Sequence, residues 1–468
     1  MGTKLLDIFR NVFRKPAYKS LTKEHGWQAP ATGTADETLL PALRSLQDQS
    51  SDLVRNEALG SSILTTLTEG AIGGGLKPNA SLDFELLGIS ETEAQEWGQK
   101  AEKLFSLWAK SKDCSFSKEL RFADIERLVF RSALQFGDCL VVRREKKNSL
   151  FPICLQLVEG RRLETPIEKT DDLSVREGIE LSKETGEVAA FFVRNQEDLL
   201  ESKTHKKIQK NDKEGNSQAL LLKNTKRIDQ TRGEPLLALV APLIKVLGRY
   251  IQGELDVSAL SSYISFVVKS QDGRSVLPDY GVVGMTEEKK SQTPTKILPN
   301  SVVNLAPGED IAMLDPKRPS SSFHEFTNHI ISIIGSEVGI PGEVLMKSFQ
   351  SSYSASRASV LQAHKTYISK RNWMVNNFHS DVWEWFLSSC IAKGMLEAPG
   401  FFDCKVKKQA YLQCQWIGEG ALQIDPSKEA DSFRKLHELG VISKENISKA
   451  LGIDYETTRN QLKKEMGA

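Results

Sequence analysis

The chain carries almost no net charge, no long apolar run and no paired cysteines, and each shortage excludes something. Its 468 residues include 62 Lys or Arg against 61 Asp or Glu, a net charge of +1. A protein built to grip nucleic acid neutralises phosphates with a strong basic excess, so this balance argues against a conventional DNA-binding protein. Charges interrupt even the richest apolar stretches, so no segment reads as a bilayer-spanning helix and no membrane is expected as a partner. The six cysteines form no CxxC pair. Neither a zinc site nor a disulfide framework is indicated, and reduced thiols in a cytoplasmic setting are the simplest reading.

Catalytic signatures are missing as well. There is no G-x-x-x-x-G-K-[ST], no H-E-x-x-H and no G-x-S-x-G, which removes the usual grounds for an ATPase, a zinc protease or a serine hydrolase. The glycines Gly73, Gly74 and Gly75 lack the lysine of a phosphate cradle and read as a turn. His324 and His329 are spaced i, i+5, which puts them on different helix faces and argues against a shared metal. Tyr353, Ser354 and Ser356 have no base nearby in sequence. No catalytic residue, metal or cofactor is expected.

What the chain does have is α+β patterning at a length that suggests two to four structural units. Residues 36–70 read as one helical segment with Leu53, Ala58, Ile63, Leu64 and Leu67 on its apolar face. Amphipathic helices follow over 91–108 and 121–136. The runs CLVVRRE, FPICLQLVEG and AAFFVRN then read as strands of an antiparallel sheet. Between 200 and 227 lysines crowd the text, either as a patch for DNA or an acidic partner or, the favoured reading, as a solvated loop around one strand. Helices return at 242–269 and 321–338, flanking a polar insert with two strand-like runs, YGVVGM and SVVNLA. PGEVLMKSFQSSYSAS, at 341–356, reads as a hydroxyl-rich loop, and the longest helix runs from there to about Cys390. KKQAYLQCQWIG reads as a strand, followed by two helices and a charged tail. The N-terminal MGTKLLDIFRNVFRK has helical apolar spacing. It fits a basic membrane-surface helix or presequence, or a short helix that docks on a neighbouring subunit or frays in solvent, and its shortness and Asp7 favour the short helix.

Five strings, in order, resemble the lambda-like tailed-phage portal family: SSDLVRN; LQLVEGRRL with REGIELSKETGEVAAFFV; DQTRGEPLLALVAP at 229–242; YSASRAS at 353–359; and QWIGEGALQIDPSKEA at 415–430. The resemblance implies a DNA-conducting ring, a dodecamer, at one capsid vertex of the virion, assembled in the host cytoplasm. It implies an N-terminal arm (1–35), a wing (36–241), stem helices (242–269 and 320–340) around a clip (270–319), and a tunnel loop (341–356). A long helix with a wing strand (357–425) and a helical crown (426–468) complete the layout. Partners implied are the terminase large subunit, the head–tail connector, the major capsid and scaffold proteins, and double-stranded DNA passing nonspecifically.

On that layout Lys347, Ser348, Gln350, Ser351, Ser352, Tyr353 and Arg357 are the residues expected to touch DNA. Hydroxyls and an amide offer exchangeable hydrogen bonds where a lysine-rich lining would hold phosphates and slow translocation. Arg357 also reads as a cap or pair within its own helix. Arg232 has two readings: a bridge to a neighbouring subunit's acid, or a pair with Asp229 that fixes the turn at Gly233, the second being favoured. Trp416 reads as a core anchor, with Gly418 shaping the turn after it. The alternatives are another capsid-associated structural protein, such as a head–tail adaptor or minor capsid component, and an unrecognised nucleic-acid enzyme.

Overall fold

The computed structural model describes residues 33–146, 149–195, 204–263, 267–270, 309–312, 322–420, 425–453 and 455–466. The expected N-terminal arm, the strand-like runs YGVVGM and SVVNLA and most of the 270–319 insert lie outside the described residues. Two compact units form: residues up to Lys245 together with those from His329 onward, and residues 246–328.

In the larger unit, α1 (Ala35–Asn56) starts on a capping box in which Thr34 accepts from the Glu37 backbone and Glu37 reaches back to the Thr34 N–H. The segment read as one helix is broken at Glu57, whose backbone is extended (φ −119°, ψ 120°), before α2 (Ala58–Ala71). The break folds α2 back on α1, and only a glycine fits at Gly60, where a Cβ would lie 2.7 Å from the Leu53 carbonyl oxygen. After β1 (Lys77–Ala80) and a short α3 (Phe84–Leu87), α4 (Glu91–Lys110) and α5 (Phe122–Phe136) appear where periodicity places them.

The strand-rich region forms two antiparallel sheets. One has the order β3-β2-β8, from β2 (Asp138–Glu145), β3 (Ile153–Glu159) and β8 (Ala219–Lys223). The other runs β4-β5-β6-β7, from β4 (Val175–Arg176), β5 (Ile179–Leu181), β6 (Val188–Arg194) and β7 (His205–Gln209). Leu140, Val142, Val158, Leu163, Ile179, Phe191 and Val193 pack together as their shared core. The lysine-rich stretch expected to hold one strand therefore contributes two, β7 and β8.

Helix α6 (Ala241–Tyr263) and helix α7 (Phe323–Val338) each cross from one unit to the other. Within the smaller unit β9 (Val267–Ser270) pairs antiparallel with β10 (Glu309–Ala312), and Tyr250 stacks on Phe323 at 5.6 Å. The expected 341–356 loop is shorter than read. Pro341 caps a helical turn, α8 (Gly342–Met346), and Ser352 caps α9 (Tyr353–Met374), leaving only 347–352 irregular. Helix α9 continues through a π-turn (Val375–His379) into α10 (Ser380–Ala392).

The expected strand KKQAYLQCQWIG is half helix: α11 (Lys405–Leu412) precedes β11 (Cys414–Ile417), which pairs with β1. Helix wins over 405–412 because it buries Ala410 and Tyr411 together in a cluster with Leu82, Leu87, Ala94 and Phe401, with Trp97 packed against it. The C-terminal helices are α12 (Pro426–Glu438), α13 (Lys444–Ala450) and α14 (Tyr455–Met466), and α12 and α13 bury no residue fully.

An aromatic core joins α4, α5 and α10. Phe105 meets Phe122, Trp383, Phe386 and Trp416 edge-on at ring distances of 5.2–5.6 Å. Edge-to-face pairs of this kind add about 0.5–1.5 kcal/mol each beyond area burial. Trp416 is a half-buried flank of that core rather than its centre.

Candidate functional site

The 347–352 loop starts on a strained residue. Lys347 ends α8 in the left-handed region (φ 51°) and donates its backbone N–H to the Val344 carbonyl. Ser348 donates its backbone N–H to the Glu343 carbonyl and is half-buried. Gln350, Ser351, Ser352 and Tyr353 are exposed. The Ser351 and Ser356 hydroxyls lie 2.9 Å apart, and Ser352 Oγ accepts from the Ala355 N–H as the N-cap of α9.

The loop's two cations each face an acid. Lys347 Nζ sits 3.9 Å from Glu69, with both side chains exposed, and Arg357 sits 3.9 Å from Glu429 on α12. Lys428 stands 5.8 Å over the Tyr353 ring. Its own partner is Asp425, whose carboxylate is held below its ordinary range by the hydrogen bond from Lys428. Exposed pairs at these distances contribute little energy, so the loop is a nearly neutral surface of hydroxyls with both charge signs at its margins.

The DQTRG segment does something else. Arg232 is wholly buried and pairs not with Asp229 but with Asp138 at the start of β2. The Nε–H and one η N–H reach the two Asp138 oxygens at 2.6 and 2.9 Å. Further guanidinium N–H groups reach the carbonyls of Gly160 (2.7 Å), Glu177 (2.6 Å) and Leu163 (3.4 Å). All five donors thus face an oxygen, a match lysine cannot make. The Gly233 N–H also donates to Asp138, at 3.0 Å. A Cβ at Gly233 would lie 1.7 Å from the Gly137 carbonyl oxygen, so two glycine backbones cross where any side chain would collide. Next to Arg232, Thr231 donates its N–H (2.7 Å) and its hydroxyl to the buried Asp36 of α1. Asp229 is exposed with φ 59° and serves only the turn. Sequence reasoning missed Asp138 because it lies 94 residues from Arg232.

Gly418 is also placed by contact. A Cβ there would lie 2.6 Å from the Arg371 guanidinium carbon. From α9, Arg371 donates to the carbonyls of Ala71 (2.9 Å) and Glu419 (2.9 Å). Arg371 therefore places a cation at the end of α2, where the last carbonyls are unpaired and the helix dipole favours it. Glu419 in turn accepts from the Gly74 N–H at 2.9 Å, which explains the glycine run after α2. At the π-turn, buried His379 places Nε2 2.5 Å from the buried Glu126 of α5 and lies 4.5 Å from the Trp416 ring. The loop-bearing helix is thus fixed to α2, α5 and the C-terminal segment by buried or half-buried polar contacts.

Among the described residues no group of three or more His, Cys, Asp or Glu is placed to hold a metal ion, and no helix is long and apolar enough to cross a membrane.

Comparison with known proteins agrees with this architecture. The profile of the family described as phage portal protein, lambda family, matches residues 21–371. Portal protein B of Escherichia phage lambda is 22% identical over 464 residues, covering 92% of this chain and 84% of its own. The portal protein of Escherichia phage N15 is 20% identical over 455 residues, covering 92% and 85%. Among solved structures, a chain in the virion of a native gene transfer agent particle superposes with a TM-score of 0.51 at 11% identity, over 88% of this chain and 93% of that one. One in the neck of an empty gene transfer agent particle gives 0.50 at 12%, with the same coverage. These two likenesses bear on the fold, and the sequence match on descent: the chain belongs to the lambda family of phage portal proteins.

Proposed function

We propose that copies of this chain close into a ring, a dodecamer, at one capsid vertex, with the 347–352 loop and the start of α9 facing the DNA that passes through. The observation that carries the reading is the exposed, hydroxyl-rich, charge-compensated surface at 350–353. Each Ser, Gln or Tyr there offers a hydrogen bond that passing phosphates exchange easily. A lining of unpaired lysines would instead release counterions on binding and hold the duplex in place. The chain's net charge of +1 fits a passage better than a clamp.

On this reading α6 and α7 are the stem and the segment between them the clip, which meets the terminase large subunit during packaging and the head–tail connector afterwards. The residues before α6 form the wing, and α12–α14 the crown. Scaffold and major capsid proteins bind outside the ring, and assembly takes place in the host cytoplasm. The chain supplies positioning and no chemistry, so the motor is another protein. Replacing Lys347 and residues 350–353 with alanine is expected to lower packaging yield and DNA retention while leaving ring formation intact. Unchanged yield and retention would sink the assignment of this loop to the channel.

A further inference from the structure

A charged surface lies in the strand-rich region, away from the 347–352 loop. Residues 142–144 at the end of β2, together with β7 and the turn that joins it to β8, enclose an open groove of about 620 Å³. Five cations line it: Arg143, Arg144, Lys206, Lys207 and Lys213. The one acid in the lining, Asp212, is consumed inside its own turn. Its carboxylate accepts from the backbone N–H groups of Glu214 (2.9 Å) and Asn216 (2.8 Å) and from the side-chain amides of Asn216 (3.0 Å) and Gln218 (3.2 Å). Local compensation is partial. Lys207 pairs with Glu180 at 2.5 Å, and one Arg143 nitrogen lies 3.2 Å from the exposed Glu145. The Arg143 Nε–H is buried and finds no acceptor among the described residues.

We propose that this groove docks an acidic, extended segment of a partner protein. Lys206 and Lys213, both exposed, would receive its carboxylates, with the partly exposed guanidinium groups of Arg143 and Arg144 beside them. A guanidinium fork suits carboxylate geometry. Duplex DNA fits less well, because the arginine side chains are only partly exposed and its backbone would meet mainly Lys206 and Lys213. The chain as a whole also offers no basic excess to hold a duplex. The inference does not depend on ring formation or on which residues face the channel.

The test is fluorescence anisotropy of a labelled peptide of alternating glutamate and serine, titrated with the full chain at low salt, with a short random-sequence DNA duplex as competitor. Lys206→Glu with Lys213→Glu is expected to weaken peptide binding about tenfold or more, since like charges then meet across the contact. Arg143→Lys keeps the charge but loses the fork, and is expected to weaken binding severalfold while near-UV circular dichroism stays native. The duplex is expected not to displace the peptide. No peptide binding, equal binding by both variants, or displacement by the duplex overturns the proposal, the last by showing that the surface reads phosphates.

Discussion

Replacing Arg232 with methionine keeps much of the side-chain volume and removes five N–H donors at once. The Asp138 carboxylate, wholly buried, then keeps only the Gly233 N–H as a partner, and the Glu177 carbonyl loses its guanidinium donor, while the carbonyls of Gly160 and Leu163 keep the Leu163 N–H and the Arg44 guanidinium. Removing one member of a buried ion pair costs about 3–5 kcal/mol because the other is left charged in a low-dielectric site. About 4 kcal/mol is therefore expected near neutral pH. Urea unfolding followed by tryptophan fluorescence reads it, since Trp108 and Trp383 are almost completely buried. Arg232→Met with Asp138→Leu should cost at least about 2 kcal/mol less than the two single changes summed, because neither charge is then stranded. Arg232→Lys should recover less than half of the loss. A cost under about 1 kcal/mol for Arg232→Met, or additive costs across the cycle, refutes the assignment of this pair as the clasp of the strand-rich region. If ring assembly fails while the unfolding free energy is unchanged, the arginine acts between subunits instead.

Asp381 on α10 is pushed up to about 6 by burial and by the neighbouring Glu384, against an ordinary 3.8. Its folded form holds the proton more tightly than its unfolded form, so its stabilising contribution is complete below 3.8 and is lost as pH rises through about 6. Asp381→Asn should therefore raise stability at pH 7 by about 1–2 kcal/mol after allowance for solvent screening, with the gain vanishing by pH 4, as measured by the difference between the two urea curves. Gly233→Ala should abolish soluble expression, because its Cβ meets the Gly137 backbone at 1.7 Å. Gly253→Ala in α6, where no described atom lies within 4 Å of the new methyl, should raise the melting temperature slightly, a gain of about 0.5–1 kcal/mol.

Periodicity made the helices legible. The stretches 91–108 and 121–136 carry apolar residues at helical spacing, and the structure keeps both almost to the residue. Short β-rich runs bounded by turn residues made β2, β3 and β6 legible as well. Local chemistry misled where two signals compete. Around 405–412 valine and tyrosine favour a strand, yet long-range burial of Ala410 and Tyr411 selects a helix. Around 341–356 the small hydroxyl residues read as loop, although Pro341 and Ser352 are helix caps. The site is partly legible for the same reason. Exposed serines announce themselves by type, whereas the partner of Arg232 is fixed by strand register and not by the nearby Asp229. Arg371, Glu419, Glu126 and His379 left no mark in the sequence, since each acquires meaning only from a residue dozens to hundreds of positions away.

Negative-stain images of the purified full chain test the central claim most directly. Head-to-tail contacts between identical subunits either close into a ring or grow as an open filament. The account predicts closed rings with a stain-filled central channel. Monomers, filaments or compact particles without a channel, under conditions in which circular dichroism shows the chain folded, would contradict it.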